Sequence, residues 1–208
     1  MKDTYLVDNY SINCKGNQID LSSAKVMGII NTTPDSFYDG TKNITTKSIL
    51  LKAEQLLSEG ATIIDIGGYS SKPGAKYVTE SEELKRTIYN IDQINKEFPK
   101  TCISIDTFRG KVAARAIEAG ASMINDISAF SMDEKMIETI VKYKVPYILM
   151  HMKGVPKNMQ DNPKYENVIE EVLNFLSKKI DALHSIGQND IIIDPGFGFG
   201  KTIEHNYS

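Results

Sequence analysis

The sequence predicts an α/β fold of repeated strand–helix units around a parallel sheet. Three observations point there. Short apolar runs recur along the chain, each is apolar nearly throughout rather than alternating with polar residues, and a helical pattern follows almost every one. Strands covered on both faces read this way, because a strand with one wet face alternates. Repeated βα units need right-handed crossovers and therefore a parallel sheet. Two architectures fit, an open doubly wound sheet and a closed (β/α)₈ barrel. Polar, Gly-rich or Asp/Asn-rich segments follow almost every strand, and no glycine-rich dinucleotide turn follows the first. A barrel gathers all its βα loops at one mouth, whereas an open sheet concentrates function at its switch point, so the barrel is preferred.

Residues 11–21 predict a β-hairpin turning at Lys15-Gly16-Asn17 between Ile12 and Ile19, and in a barrel such a hairpin plugs the bottom. Strands are predicted at 25–30, 62–66, 101–105, 122–125, 145–150 and 190–193. Between them, Ile49, Leu50, Ala53, Leu56 and Leu57 share one helical face, and Gly60 stops that helix. Thr79 and Glu82 make a capping-box pattern before Leu84, Ile88 and Ile91. Val112, Ala113, Ala116 and Ile117 line a third helix, closed by Gly120. Ser131 and Glu134 are read as the cap of a fourth helix carrying Met136, Ile137, Ile140 and Val141. Val168, Val172, Leu176, Ile180 and Leu183 stripe a fifth, which ends near Gly187. The expectation is a single domain over 1–208, with barrel units starting at residue 25. It holds about six βα units where a barrel has eight, and such barrels run to about 250 residues.

The chain carries a net charge of −3, so nothing in its overall charge predicts nucleic acid binding. An anionic substrate would need local positive charge. The two cysteines, Cys14 and Cys102, form neither a CxxC pair nor a zinc-ligand spacing, which suits a reduced intracellular compartment. The first ten residues are polar and acidic, unlike a signal peptide, and no apolar run reaches the ~20 residues that span a bilayer. The expectation is a cytoplasmic protein with no membrane partner.

The chemistry sits after the strands. Residues 31–37, Asn-Thr-Thr-Pro-Asp-Ser-Phe, offer an amide, three hydroxyls and a carboxylate. Such hard oxygens suit Mg²⁺, which keeps waters and binds through substrate phosphates; the same residues also make good turn chemistry. Residues 67–74 combine glycines, serines and Lys72, either a phosphate-binding loop or a flexible surface one. Asp106, Asn125 and Asp194 each end a strand. A strand-end Asp often caps the next helix, but recurrence on three strands suggests a ligand with several ring N–H groups in an apolar cavity. Residues 196–202, Gly-Phe-Gly-Phe-Gly-Lys-Thr, resemble a P-loop but carry Pro195 where its first glycine belongs. They read instead as a strained loop presenting phenylalanines and Lys201 to a flat ligand. His151, with no HExxH context, reads as structural or supporting, and His184 as a surface residue.

In order along nearly the whole chain, these motifs resemble dihydropteroate synthase. They are Gly28-Ile29-Ile30-Asn31-Thr32-Thr33-Pro34-Asp35-Ser36-Phe37, Ile64-Asp65-Ile66-Gly67-Gly68, Ser71-Lys72-Pro73-Gly74-Ala75, Ile105-Asp106-Thr107, Ile124-Asn125-Asp126-Ile127, Met150-His151-Met152-Lys153-Gly154 and the run from Asp194 to Lys201. The resemblance implies a TIM-type (β/α)₈ barrel, incomplete here. It implies condensation of 6-hydroxymethyl-7,8-dihydropterin pyrophosphate with p-aminobenzoate to give 7,8-dihydropteroate and pyrophosphate, with Mg²⁺ as cofactor and sulfonamides as inhibitors. Asp106, Asn125 and Asp194 would hold the pterin edge, and Ile127, Met150 and Phe199 would pack around its ring. Asn31 would bind Mg²⁺ or pyrophosphate, with Ser71 and Lys72 near the phosphates. Phe37 and Pro73 would belong to the loops enclosing p-aminobenzoate. Full-length members are often homodimers.

Two departures from the family pattern carry expectations of their own. Ser71-Lys72 stands where the family has Thr-Arg, which keeps the hydroxyl and gives up bidentate phosphate pairing. The family's Ser-Arg-Lys segment on strand seven and Arg-x-His segment on strand eight do not occur in the 208 residues. The expectation is a C-terminally truncated chain with little turnover by itself. Two other readings are a methyltetrahydrofolate-binding methyltransferase barrel, marked by need for a corrinoid partner, and an inactive pterin-binding fragment.

Overall fold

The computed structural model describes residues 10–33, 45–70 and 77–208. The chain opens with the antiparallel pair β1 (Ser11–Cys14) and β2 (Asn17–Asp20), in which Cys14 lies opposite Asn17. Lys15 and Gly16 fill the turn with φ of 55° and 82°. Two successive left-handed residues are what a two-residue turn needs to match the right-handed twist of its strands.

A parallel sheet follows, built from β3 (Val26–Asn31), β4 (Ala61–Gly67), β5 (Cys102–Asp106), β6 (Met123–Asp126), β7 (Tyr147–Met150) and β8 (Ile191–Asp194). Its spatial order is its chain order, β3-β4-β5-β6-β7-β8. An open doubly wound sheet reverses order at a switch point, whereas here each unit adds the next strand on the same side, as around a barrel. The helices are α1 (Thr46–Ser58), α2 (Glu80–Glu97), α3 (Gly110–Ala119), α4 (Lys135–Tyr143), α5 (Val168–Ser185) and the short α6 (Ile203–Tyr207).

Side-chain alternation divides each strand between two cores. Ile30, Ile64, Ile66, Ile103, Ile105, Ile124, Tyr147 and Leu149 face the helices, where they meet Ala53, Ile91, Val112, Ala116, Met136, Ile140 and Leu183. The other set faces inward. At the strands' N-terminal ends it comprises Met27, Ile63, Cys102, Met123, Ile148 and Ile192, capped by Ile12, Cys14, Ile19 and Leu21 from the hairpin and the residue after it. The hairpin therefore closes the floor, as predicted.

Two of the predicted caps differ in detail. Thr79 accepts from the Glu82 amide at 3.2 Å, but the Glu82 side chain pairs with Arg86 at 2.9 Å rather than turning back to complete the box. At α4 the predicted Ser131 and Glu134 make no side-chain cap. Asp133 supplies it, accepting from Lys135 N at 3.0 Å and from Gly110 N, at the start of α3, at 2.9 Å. One carboxylate thus satisfies orphan amides of two helices.

Candidate functional site

Two or four residues beyond the inward floor residues, the same face of the strands becomes largely polar. Asn31, Gly67, Asp106, Met150 and Asp194 end their strands, and Asn125 stands one residue before the end of β6. Asn31 is paired with Gly67, Gly67 with Asp106, and Asp106 with Asn125. Met150 is paired with Asp194. The predicted trio Asp106, Asn125 and Asp194 therefore shares one face and one end of the sheet. A Cβ added at Gly67 would lie 3.2 Å from Asp106 Oδ2 and 3.4 Å from Asn31 Oδ1, so the missing side chain leaves room for those two tips to converge.

Asp65, one layer deeper, is a member of this site that the motif reading passed over. It is buried in mid-strand, and Asn125 Nδ2 donates to its Oδ2 at 3.1 Å. Its other oxygen, with the neighbouring Ser104 hydroxyl, has no hydrogen-bond partner in the described structure. A buried polar atom left unpaired costs free energy, and these point to groups a ligand would satisfy.

Burial pushes the Asp106 carboxyl well above the usual carboxylate range, and the charges of Asp65, Glu83 and Asp126 push it further. Burial also raises Asp65, and the neighbouring Ser104 hydroxyl and the Asn125 amide oppose that rise. Like charges held together in a poorly hydrated site disfavour ionisation. A ligand bringing amine and ring N–H donors relieves that cost. Asp126 faces the other way. It accepts from Ser128 N, Ser128 Oγ, Phe130 N and Tyr147 Oη at 2.7–2.8 Å, so its acceptors serve its own loop.

Around this cluster, Ile127 and Met150 are buried and Phe199 is half-buried, while Asn31 is exposed at the rim. Ser71, Lys72, Pro73 and Phe37 lie outside the described residues. Asp194 Oδ1 accepts from Gly196 N at 2.7 Å, which starts the tight loop into α6. Gly196 has φ +70°, and a Cβ there would fall 1.9 Å from the His151 carbonyl oxygen. Only glycine lets the two loops meet so closely.

Lys201 corrects a prediction. It is buried rather than presented, and its Nζ donates to the carbonyls of Gly196 at 3.0 Å and Phe199 at 3.2 Å. His151 Nδ1 lies 2.9 Å away, so the lysine clasps its own loop. Phe197, by contrast, is exposed. Burial lowers Lys201 to about 8, and burial followed by the Lys201 charge lowers His151 to about 4. His151 is then neutral in the folded protein at pH 7, a supporting residue in line with its sequence reading. A histidine whose folded pKa lies below its unfolded value costs stability as pH falls from about 6.5 toward 4. His151→Gln is accordingly expected to flatten the acid side of the urea-midpoint profile over that window. An unchanged slope would contradict a buried neutral His151.

Behind the tops of β4 and β5 lies a second buried network. Glu83 is fully buried, accepts from Thr107 Oγ1 at 2.6 Å, and pairs with Arg109. Arg109 Nη2 also donates to the Val78 carbonyl at 2.8 Å. Its guanidinium lies 4.8 Å from the ring centre of Phe108, 5.4 Å from Tyr69 and 5.7 Å from Tyr77. The pair thereby ties residues on both sides of 71–76 to the residue next to Asp106. A separate groove of about 600 Å³ runs along Lys153, Lys164, Tyr165, Glu170 and Asn174. No predicted site residue lines it.

The family model described as pterin binding enzyme matches residues 27–208. Dihydropteroate synthase of Haemophilus influenzae is 44% identical over 191 residues, covering 91% of this chain and 69% of that protein. The chain belongs to the dihydropteroate synthase family. A larger fungal relative, the folic acid synthesis protein fol1 of Schizosaccharomyces pombe, is 45% identical over 189 residues, which are 89% of this chain and 26% of that one. Among solved structures, Yersinia pestis dihydropteroate synthase with a sulfonamide drug superposes with a TM-score of 0.89 at 40% identity, covering 95% of this chain and 72% of that one. The Xanthomonas albilineans enzyme in complex with 7,8-dihydropteroate superposes with a TM-score of 0.82 at 36% identity, covering 95% and 70%. These neighbours make the six-strand sheet the larger part of a dihydropteroate synthase barrel. No described helix is long and apolar enough to cross a membrane.

Proposed function

We propose that this family member condenses 6-hydroxymethyl-7,8-dihydropterin pyrophosphate with p-aminobenzoate, releasing 7,8-dihydropteroate and pyrophosphate. The observation that carries the reading is the polar inward layer formed by Asp106, Asn125 and Asp194 above a plugged apolar floor. Asp106 and Asp194 accept from the amine and ring N–H groups of the pterin, and the Asn125 amide supplies both a donor and an acceptor. Asp65 lies beneath as a further acceptor. Ile127, Met150 and Phe199 pack against the ring.

As the C–O bond breaks, pyrophosphate leaves with its electron pair and positive charge spreads into the dihydropterin. The carboxylates of Asp106 and Asp65 stabilise that charge. The p-aminobenzoate nitrogen forms the new C–N bond and gives up a proton. Holding the two reactants together supplies much of the acceleration.

Asn31 is assigned as the ligand to Mg²⁺ or pyrophosphate. Its side-chain oxygen is a hard donor at the rim, beside Asp106, and Mg²⁺ needs few protein ligands when phosphates and waters complete its shell. Among the described residues there is no group of three or more His, Cys, Asp or Glu side chains that could hold a metal ion. When bound, Mg²⁺ neutralises charge on the departing pyrophosphate. Ser71 and Lys72 are assigned to the phosphates, and Phe37 and Pro73 to p-aminobenzoate. The free thiols Cys14 and Cys102 support a cytoplasmic setting.

Assay of the full-length gene product with both substrates and Mg²⁺ tests the reading. Dihydropteroate should accumulate, and a sulfonamide should compete with p-aminobenzoate. No product under those conditions would overturn it.

A further inference from the structure

The floor of the barrel brings together the two cysteines of the sequence, 88 positions apart. Cys14 ends the first hairpin strand and Cys102 begins β5. Both are free thiols, with 3% and 4% of their surfaces exposed. Their sulfurs are 2.7 Å apart, while a disulfide bond is about 2.05 Å long. Less than about 1 Å of movement therefore separates this contact from a covalent bond.

We propose that Cys14 and Cys102 are a peroxide-oxidisable pair whose disulfide locks the hairpin onto the barrel floor. The surroundings set the direction of the chemistry. The Cys102 thiol donates to Cys14 Sγ at 2.7 Å, and Cys102 Sγ accepts from Ser122 Oγ at 3.4 Å. Once Cys102 ionises, the Cys14 thiol turns its own proton toward it, and with the Ser122 hydroxyl and the Lys15 ammonium this lowers Cys102 below its ordinary pKa against the opposing effect of burial. Contact with Cys102 and burial hold Cys14 in its protonated form. Cys102 is therefore the sulfur that attacks.

Its thiolate takes one oxygen of hydrogen peroxide. The O–O bond breaks, and a sulfenic acid and hydroxide result. The Cys14 sulfur then attacks the Cys102 sulfur and displaces the hydroxyl group, which leaves as water with the Cys14 proton. The two cysteines lose two electrons, and peroxide is reduced. Peroxide is a fitting oxidant because the pair is buried too deeply for a bulky disulfide reagent. In the reduced protein only non-covalent contacts join Ile12 and Cys14 to the inward ends of the strands. The new bond closes a long loop, which limits the unfolded chain. The pair lies at the end of the strands opposite Asp106 and Asn125, and the proposal holds whether or not those residues bind a pterin.

The test is peroxide treatment of the purified protein, maleimide labelling under denaturing conditions, and mass spectrometry of proteolytic peptides. The expected result is loss of both free thiols and a linked peptide pair joining Cys14 to Cys102, lighter by two hydrogens and separated by dithiothreitol. Oxidation should also raise the unfolding midpoint of the wild type, and leave it unraised in Cys14→Ser and Cys102→Ser. If a serine variant does not fold, the wild-type peptide map decides alone. Two labelled thiols after peroxide, sulfinic acid at either residue without a link, or links only between molecules would overturn the proposal.

Discussion

Asp106→Asn is expected to weaken pterin binding by about 100-fold or more and, in the same molecule, to raise stability at pH 7. A hydrogen bond to a charged group is worth about 1.5–3 kcal/mol, and about 1.4 kcal/mol is tenfold in affinity. A carboxylate facing an amine and a ring N–H makes two such bonds, and the asparagine amide replaces one acceptor with a donor that faces a donor. The stability change follows from the carboxyl's environment. Burial and the Asp65 charge hold Asp106 above its ordinary pKa. Its contribution to stability is then greatest below the unfolded value and is lost as pH rises through the folded one. Asparagine does not ionise, so the gain should appear at pH 7 and vanish below about pH 4. Calorimetric titration with the pterin and urea unfolding at both pH values measure the two halves. Unchanged affinity would remove the residue's assigned role, and a loss of stability at pH 7 would contradict the electrostatics.

Arg109→Met is expected to cost about 3–5 kcal/mol of stability, because it leaves a fully buried carboxylate without its counter-ion. Burial already raises the Glu83 carboxyl, and Thr107 and Arg109 only partly oppose it. The double variant Glu83→Gln with Arg109→Met should therefore recover much of the loss, because it removes the stranded charge. Urea midpoints at pH 7 for the single and double variants check this. A cost below about 1 kcal/mol for the single variant would mean that Glu83 finds another partner or solvent, against its burial.

Sequence periodicity carried the fold because each inward or outward choice is local. Ile64, Ile66, Ile103 and Ile105 lie against the helices, and Lys15-Gly16 turns the hairpin as its composition requires. Strand-end polar residues were legible for the same reason, since chain order places Asp106, Asn125 and Asp194 at one end of parallel strands. Asp65 was harder to see. It interrupts an apolar run two residues before a strand end, and only strand parity with Gly67 puts it on the inner face. Contacts distant in sequence left no pattern to read. Glu83 meets Arg109 across 26 positions and Cys14 meets Cys102 across 88. Lys201 is expected from sequence to be presented by a strained glycine-rich loop. The positive φ of Gly196, Gly198 and Gly200 curls that loop back until the lysine meets its own carbonyls.

The claim beneath the whole account is that side chains from separate strands enclose one heterocycle. A crystal structure of the protein soaked with a dihydropterin tests it most directly. The account predicts the bicyclic ring on the inner face of the sheet, with its N–H edge within hydrogen-bonding distance of Asp106 and Asn125. A pterin bound outside the barrel, or lying in the groove beside Lys153 and Tyr165, would contradict it.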